Sequence, residues 1–149
     1  MSYEIVIDDK NVREMLRRIT KRSNEVDQKS RAYTALLSAI VLQDIADHFA
    51  KESGPNIRWQ PWSERYRMRM EKLGKGGNKI LQDNGTLRNA WTPANVRTVS
   101  DGIVWFNQTP YAKRHDMGGK GMPVRRFSWL SEFALNKISD QTAKFITEE

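Results

Sequence analysis

The sequence contains no cysteine. Disulfide bonds, thiolate metal sites and cysteine nucleophiles are therefore excluded. The absence also fits a protein that assembles in a reducing cytoplasm, where disulfides rarely persist. Histidine is scarce too, since the 149 residues include only two. The supply of side chains that commonly bind metals or transfer protons near neutral pH is correspondingly small.

Long apolar runs are also missing. The stretch Ala35–Val41 is short and contains Ser38, whereas a membrane-spanning helix needs about 20 apolar residues. The first residues, Met1–Asp9, are acidic and lack the basic start of a secretion signal. We therefore expect a soluble protein with no membrane partner and no targeting segment.

Sequence motifs for common catalytic chemistry are absent. Gly74-Lys75-Gly76-Gly77 lacks the GxxxxGK(S/T) pattern of a phosphate-binding loop, and neither GxSxG nor HExxH occurs. Asp44 and His48 are four residues apart and could form a metal pair or a base with its orienting carboxylate, but we expect an ordinary surface polar contact. The sequence predicts a protein that is not an enzyme and has no cofactor or metal. A small hydrolase that uses His48 or His115 is the weaker alternative.

Positive charge is abundant and unevenly placed. The formal net charge is +7, and basic residues concentrate in segments 10–31, 54–79 and 111–137. Such clusters attract nucleic acid or an acidic protein surface. A solvated surface with internal salt bridges accounts for them equally well, so the charge alone does not select a partner.

Hydrophobic periodicity predicts the elements of the N-terminal half. Tyr3–Ile7 alternates and is rich in β-branched residues, which is typical of a strand, and apolar residues recur at helical spacing over Val12–Ile19. A longer helix is predicted from about Asp27 to Glu52, ended by Gly54-Pro55. The apolar face predicted for this helix comprises Tyr33, Leu36, Leu37, Ile40, Val41, Ile45 and Phe49.

The C-terminal half combines short helices with an antiparallel hairpin. Asp101-Gly102 between the alternating runs 95–100 and 103–106 is a strong hairpin signal. Thr109-Pro110 offers a side-chain cap and a first-turn proline for a helix over 111–117. Further predictions are a helix over 63–70 with Ser63 as its N-cap, a helix over 86–91 and an extended segment over 124–129. A C-terminal helix is predicted from about Ser131, marked by the apolar residues Leu130, Phe133, Ala134, Ile138 and Phe145. The mixture predicts an α+β fold in a single domain over 1–149, with long N-terminal helices packed on a small, mainly antiparallel sheet.

A basic and aromatic segment at about 54–79 stands out from the rest. Its arginines and lysines are interleaved with Trp59, Trp62 and Tyr66. Trp and Arg are enriched at protein–protein hot spots, whereas basic residues with stacking aromatics also suit nucleic acid. The segment therefore supports either kind of partner. We interpret it as an excursion from the core, with a flexible glycine-rich loop at 74–78.

Four motif segments occur in a fixed order after the long helix. They are Trp59-Gln60-Pro61-Trp62 with Tyr66; Ile80 to Ala90, which contains Gly85, Leu87 and Arg88; Tyr111-Ala112 with His115 and Gly118; and Met122-Pro123-Val124-Arg125-Arg126-Phe127. This pattern resembles the phage virion-morphogenesis family, whose members include tail-completion proteins, and the resemblance covers most of the chain. The chain has Asp116 where the family often has glutamine, and 126–130 differs from the family's Pro-Phe-Leu-Gly-Leu type run.

The resemblance implies a structural virion protein that forms a ring, expected to be a hexamer, at the end of the tail or at the head–tail junction. Its partners are then further copies of itself and tail or head–tail connector proteins, with DNA contact left open. The residues that we predict at the assembly interface are Trp59, Trp62, Arg65, Arg67, Arg69, Arg125, Arg126 and Trp129. The motif residues that we predict to serve as scaffold are Pro61, Gly85, Leu87, Tyr111, His115, Gly118, Pro123 and Phe127. Among them, Gly85 is expected to permit a tight or left-handed turn, Gly118 to end a helix, and His115 to hydrogen-bond the backbone across a loop. The alternative function is a basic nucleic-acid-binding module.

Overall fold

A computed structural model describes residues 3–6, 10, 14, 26–99 and 102–147 of the protein. The elements run in the order β1 (Tyr3–Val6), α1 (Val26–Lys51), α2 (Glu64–Lys72), α3 (Thr86–Asn89), β2 (Val96–Val99), β3 (Gly102–Asn107), α4 (Ala112–Met117) and α5 (Glu132–Thr147). The predicted α+β class is confirmed. The helix predicted over 12–19 lies, except for Glu14, outside the described residues.

The three strands form one antiparallel sheet in the order β1-β3-β2. Trp105 of the central strand pairs with Ile5 of β1 and with Val96 of β2, so the predicted hairpin is confirmed. The Trp105 side chain is fully buried, and its indole Nε1 donates to Ser38 Oγ on α1 (3.2 Å). The long helix therefore packs against the central strand of the sheet.

The buried face of α1 follows a spacing of four residues, which keeps side chains on one side of a helix. Its buried hydrophobic residues are Tyr33, Leu37, Val41, Ile45 and Phe49. The prediction that Leu36 belongs to this face is wrong, because its side chain is 42% exposed. Leu36 lies about 100° from Leu37 around the helix axis, beyond the edge of the stripe that the core covers.

α1 ends at Lys51, and Glu52 is the residue that reverses the chain. Glu52 has a left-handed backbone (φ 51°). The amide of Ser53 donates to His48 O (3.1 Å), which is the six-to-one bond of a Schellman C-cap. The prediction that Gly54 ends the helix is therefore wrong about the residue, although the helix stops close to the predicted position.

The last carbonyls of α1 are capped by residues from beyond the 54–79 excursion or at its end. Lys79 Nζ donates to Ala50 O (2.6 Å), and Gln82 Nε2 donates to Phe49 O (2.8 Å). These bonds satisfy acceptors that have no partner inside the helix. The positive charge of Lys79 is also favoured at a helix C-terminus. The returning chain thus stabilises the helix from which the excursion departs.

α5 packs against the first half of α1. The rings of Tyr33 and Phe145 lie 4.7 Å apart, and the Tyr33 hydroxyl is 2.5 Å from Thr142 Oγ1. Ile138 is buried as predicted, whereas the prediction for Phe133 is wrong, since its side chain is 69% exposed. Neither α5 nor any other described helix is long and apolar enough to cross a membrane.

Three local predictions differ from the structure. The helix predicted over 86–91 ends early, at Asn89. The segment predicted as extended over 124–129 belongs to no strand of the described sheet. Thr109 makes no side-chain cap on α4; instead its carbonyl accepts from the Ala112 amide (3.0 Å).

Candidate functional site

Trp59 anchors the beginning of the 54–79 excursion in the core. Its indole Nε1 donates to Arg126 O (2.8 Å), and its ring meets the Phe49 ring edge-on at 5.4 Å. The Trp59 amide donates to Glu52 O (2.7 Å). Only 4% of the residue is exposed. The prediction that Trp59 lies at an assembly interface is therefore wrong, because its side chain is enclosed by the fold.

α2 begins at the predicted cap and neutralises one of its own arginines. The Ser63 hydroxyl accepts from the Tyr66 amide (3.3 Å), as an N-cap does. Arg67 donates to Glu64 (2.7 Å) and also to Glu71 on adjacent turns. Arg67 was predicted at the interface, but its guanidinium is committed to these carboxylates within the helix.

Arg65 and Arg69 of α2 differ from Arg67. Both side chains are exposed, and neither has a carboxylate within ion-pair distance in the described part of the chain. Arg126, also predicted at the interface, is exposed and lies 3.6 Å from a carboxylate oxygen of Asp116. Among the described residues, the unpaired positive charge of α2 therefore resides on Arg65, Arg69 and Lys72.

A partly open cavity of about 720 Å³ lies beside α2. Its volume falls within the range of about 300–1,000 Å³ that is usual for ligand pockets. Aromatic, aliphatic and proline side chains form much of the wall, with amides and a few charged groups among them. The described lining residues are Gln60, Pro61, Trp62, Ser63, Tyr66, Met70, Lys79, Leu81, Gln82, Asp83, Asn84, Leu87, Tyr111, His115, Gly121, Met122, Pro123 and Arg125.

All four motif segments that carry the family resemblance contribute to this cavity. The first supplies Pro61, Trp62 and Tyr66, the second 81–84 and Leu87, the third Tyr111 and His115, and the fourth Met122, Pro123 and Arg125. Other elements separate these segments along the chain, so only folding brings them together. The motif residues predicted as scaffold thus include wall residues of a potential binding site.

The second motif is shaped by a left-handed glycine, as predicted. Gly85 has a φ of 79° and precedes α3, whose first amide, that of Thr86, donates to Asn84 Oδ1 (3.0 Å). Leu87 is buried, and its carbonyl accepts from Nδ2 of Asn107 (2.9 Å). Asn107 is fully buried and was missed by sequence reasoning. A polar residue that ends a run of apolar strand residues is the signal that could have found it.

Gly118 ends α4, as predicted, and permits a close approach of two chain segments. Its backbone (φ 77°, ψ −179°) lies in a region that is essentially restricted to glycine. A Cβ atom at this position would lie 2.8 Å from Val124 Cγ2 and 3.2 Å from Met122 O. The chain thereby folds back so that the Arg125 amide donates to His115 O (3.0 Å). The contact predicted for His115 across the loop is made by its carbonyl.

The two places where the chain departs from the family pattern contact each other. Asp116 is fully buried, and its Oδ1 accepts from the amides of Phe127 and Ser128 (both 2.8 Å). Its Oδ2 accepts from Ser128 Oγ (2.7 Å). A carboxylate can accept all three bonds, whereas a glutamine side chain has only one acceptor oxygen. The carboxylate at position 116 is therefore suited to the donors of Phe127 and Ser128, which belong to the other run that differs from the family pattern.

The pKa values of two cavity residues, Arg125 and His115, differ from their ordinary values. Arg125 donates from Nε to Gln60 O (3.0 Å) and from Nη2 to Pro61 O (3.3 Å). Burial lowers the pKa of Arg125, but a guanidinium stays charged at neutral pH. Burial, together with the charges of Arg125 and Arg114, lowers the pKa of His115, which is therefore mainly neutral at pH 7. The Nδ1 atom of His115 is buried and has no hydrogen-bond partner within the part of the chain that the structure describes.

Asp44 and His48 form a buried pair on α1, not the surface contact that we predicted. His48 Nε2 lies 3.3 Å from Asp44 Oδ2. Ser131 donates to Asp44 through its amide (2.8 Å) and its hydroxyl (2.5 Å). The His48 ring stacks on Trp129 with a centroid distance of 3.9 Å, so this predicted interface residue is half-buried. The cluster fastens the start of α5 to α1.

The charge of Asp44 is stabilised by this cluster. Burial alone raises the pKa of Asp44, but hydrogen bonds from His48 and Ser131 outweigh it, so that the pKa lies below its ordinary value. The Ser131 hydroxyl donates to the carboxylate and not to His48, so these residues do not form a Ser-His-Asp relay. Within the described ranges, no group of three His, Asp or Glu side chains could hold a metal ion.

The polar side chains of the cavity lining are amides, hydroxyls, one histidine, two cations and a carboxylate that is paired with Lys75, and this set can bind a ligand through hydrogen bonds and charge. No protein-family model, curated protein or solved structure matches the chain. The features of this chain that point to a function are therefore its motif segments and the cavity into which they fold.

Proposed function

We propose that the protein is a structural assembly subunit of a tailed-phage virion, acting in tail completion or head–tail joining as part of a ring. The observation that carries the proposal is the convergence of the four motif segments on one cavity. Motifs that only maintained a fold could be scattered through the core. Motifs that meet at one partly open cavity are better explained by a shared contact with a partner.

The residue types around the cavity support a protein partner. Trp62, Tyr66, Tyr111 and Arg125 are all of the types that dominate protein–protein hot spots. A closed ring also needs two different patches on each subunit. The cavity supplies one patch. The exposed basic residues of α2, which lie outside the cavity lining, supply a candidate for the second.

Inactivation of the coding sequence in the phage genome that carries it tests the proposal. We expect lysates with unjoined heads and tails, or with tails of abnormal ends, and few infectious particles. A plasmid copy of the wild-type gene is expected to restore them. Normal particles and normal titre from the inactivated phage contradict the assembly role.

A nucleic-acid-binding function is the second candidate, favoured by the unneutralised charge of Arg65 and Arg69. It requires that affinity for DNA fall steeply as salt rises, because phosphate contacts release counterions. A gel-shift series on duplex and single-stranded DNA at increasing ionic strength measures this. Absence of binding at low salt removes the second candidate.

A further inference from the structure

The cavity contains a buried positive charge that no carboxylate among the described residues neutralises. Arg125 is only 8% exposed. Its two hydrogen bonds go to neutral carbonyl oxygens, those of Gln60 and Pro61. No carboxylate of the described chain lies within ion-pair distance of it. Charged side chains this deeply buried are normally paired, so the unpaired state of Arg125 is unusual.

The guanidinium keeps one edge available. Nε and one N–H of Nη2 are used by the two carbonyls, and Nη1 has no hydrogen-bond partner among the described residues. The edge formed by Nη1 and Nη2 therefore retains two N–H groups. Such an edge is the fork to which a carboxylate binds with two parallel hydrogen bonds.

Acidic groups around the cavity do not compete for this edge. Among the described lining residues, Asp83 is the only carboxylate, and it is paired with Lys75 at 2.6 Å. Lys79, the other cation of the lining, donates to a helix carbonyl. The cavity therefore keeps a net positive charge that complements an anion.

The remaining wall is suited to apolar side chains. The rings of Trp62 and Tyr66 meet edge-on at 5.4 Å, and Tyr111 and Pro123 also line the cavity. Aromatic and proline surfaces of this kind bind apolar groups without losing much conformational entropy. A single arginine fork beside such a wall favours a carboxylate with an apolar neighbour over a phosphate, which usually recruits several donors.

We infer that the cavity binds an acidic protein segment, with a Glu or Asp side chain on the free edge of Arg125 and an adjacent apolar side chain against the aromatic wall. The inference rests on the proposed function in taking the segment to belong to a neighbouring assembly protein. The bound carboxylate neutralises the buried guanidinium. Binding of this segment is therefore selective for charge as well as for shape.

A matched pair of peptides tests the inference on the full chain. The probes are acetyl-Phe-Glu-Phe-amide and acetyl-Phe-Gln-Phe-amide, which differ only in the charge of the central side chain. Titration followed by heteronuclear NMR is expected to show the Glu peptide binding at least about tenfold more tightly, as a charge-assisted hydrogen bond of this type implies. The largest shifts are expected at the Trp62 indole and at the amides of His115 and Arg125. Equal affinity for the two peptides, or shifts confined to residues outside the cavity, overturns the inference.

Two variants sharpen the test. Arg125→Gln is expected to remove the preference for the Glu peptide, whereas Lys144→Gln, which removes the same charge from an exposed position outside the lining, is expected to keep it. A folded Arg125→Gln variant that retains the preference overturns the inference. If that variant is unfolded by circular dichroism, the wild-type comparison of the two peptides decides the outcome.

Competition experiments distinguish the acidic peptide from other anions. Inorganic phosphate and a thymidine oligonucleotide are each expected to displace the Glu peptide only weakly, and displacement by either at concentrations equal to the peptide overturns the choice of ligand. Failure of the inference is distinguishable from failure of the proposed function. The peptide titration involves no phage particle, and gene inactivation involves no peptide, so either result can stand without the other.

Discussion

Gly118 shows how a single residue can determine the shape of the cavity wall. Its left-handed backbone and the contact with Val124 leave no room for a side chain. Gly118→Ala is expected to lower the free energy of unfolding by about 2–3 kcal/mol, because it combines backbone strain with overpacking. Urea denaturation measures the change. Gly77→Ala is the control, since nothing lies within 4 Å of an added Cβ there, and a shift of less than about 0.5 kcal/mol is expected.

Asp44 links stability to pH. Its folded-state pKa lies below the ordinary value of 3.8, so its contribution is fully present above that value and is lost as pH falls through the lower folded-state pKa. Asp44→Asn is expected to cost about 2–3 kcal/mol at pH 7, because it leaves buried donors of Ser131 poorly matched. The difference from wild type is expected to shrink at acid pH.

Thermal and urea unfolding across the acid range measure this effect, with Asp47→Asn as the control. Asp47 lies on the same helix, and its side chain accepts one exposed hydrogen bond among the described residues, from Gln43 (3.0 Å). Its substitution is expected to change stability by less than about 0.5 kcal/mol. A cost for Asp44→Asn that stays constant down to the lowest pH contradicts the assigned ionised state.

Individual residues were predicted well where the cause was local. The turn at Gly85, the cap at Ser63 and the end of α4 at Gly118 all follow from backbone conformations or short-range bonds. The burial of Asp44 and Asn107 was not predicted, because Ser131, which donates to Asp44, and Leu87, which accepts from Asn107, lie far away along the chain. A buried polar residue can be recognised only when the donors or acceptors that satisfy it are known.

At the scale of elements, the packing of Trp59 separates the two tryptophans of the first motif. Trp59 is enclosed by the core, whereas Trp62 lines the partly open cavity. Trp59→Ala is expected to lower the free energy of unfolding by about 3–5 kcal/mol, as for other large core truncations. Trp62→Ala is expected to cost less than about 1 kcal/mol. Chemical denaturation of both variants checks the difference, and equal costs contradict the assigned roles.

The helices and the hairpin were predictable because periodicity and turn chemistry act within one element. Two errors concern residues at the edge of the buried face of a helix. Leu36 and Phe133 are apolar residues beside a buried stripe, and their exposure depends on how far the neighbouring element extends. The end of α1 was misplaced because Glu52, an unusual residue for a left-handed cap, takes the place expected for glycine.

At the scale of the whole molecule, the cavity could not be predicted from the sequence. Its walls come from segments between residues 60 and 125, and their meeting depends on the complete topology. Sequence reasoning named many of the lining residues through their motif membership but divided them between interface and scaffold. The structure brings members of both groups to one place and moves Trp59 into the core.

The charge on α2 yields a prediction for assembly. Reversing both free arginines, in the double variant Arg65→Glu/Arg69→Glu, is expected to reduce rescue of an inactivated phage by at least about tenfold, as loss of two contact arginines at an interface implies. Arg67→Gln is expected to rescue fully, because Arg67 is already neutralised within the helix. Plaque titres measure rescue, and circular dichroism confirms folding. Full rescue by the double variant contradicts an assembly role for this face.

Glu52 fastens both ends of the segment that lies between Trp59 and Ile80. Its carbonyl accepts from the Trp59 amide and its carboxylate accepts from the Ile80 amide (2.6 Å). A single residue therefore holds together the two points at which the chain leaves the core and returns to it. The free-energy cost of closing a loop rises by only about 0.6 kcal/mol for each doubling of its length. The glycine-rich loop at 74–78, which lies between the two tied points, can therefore change in length at little cost to the fold, because the bonds that join the segment to the core lie elsewhere, at Lys79 and at the carbonyls of Gln60 and Pro61. Related chains can thus differ in this loop while the scaffold beneath it is inherited unchanged.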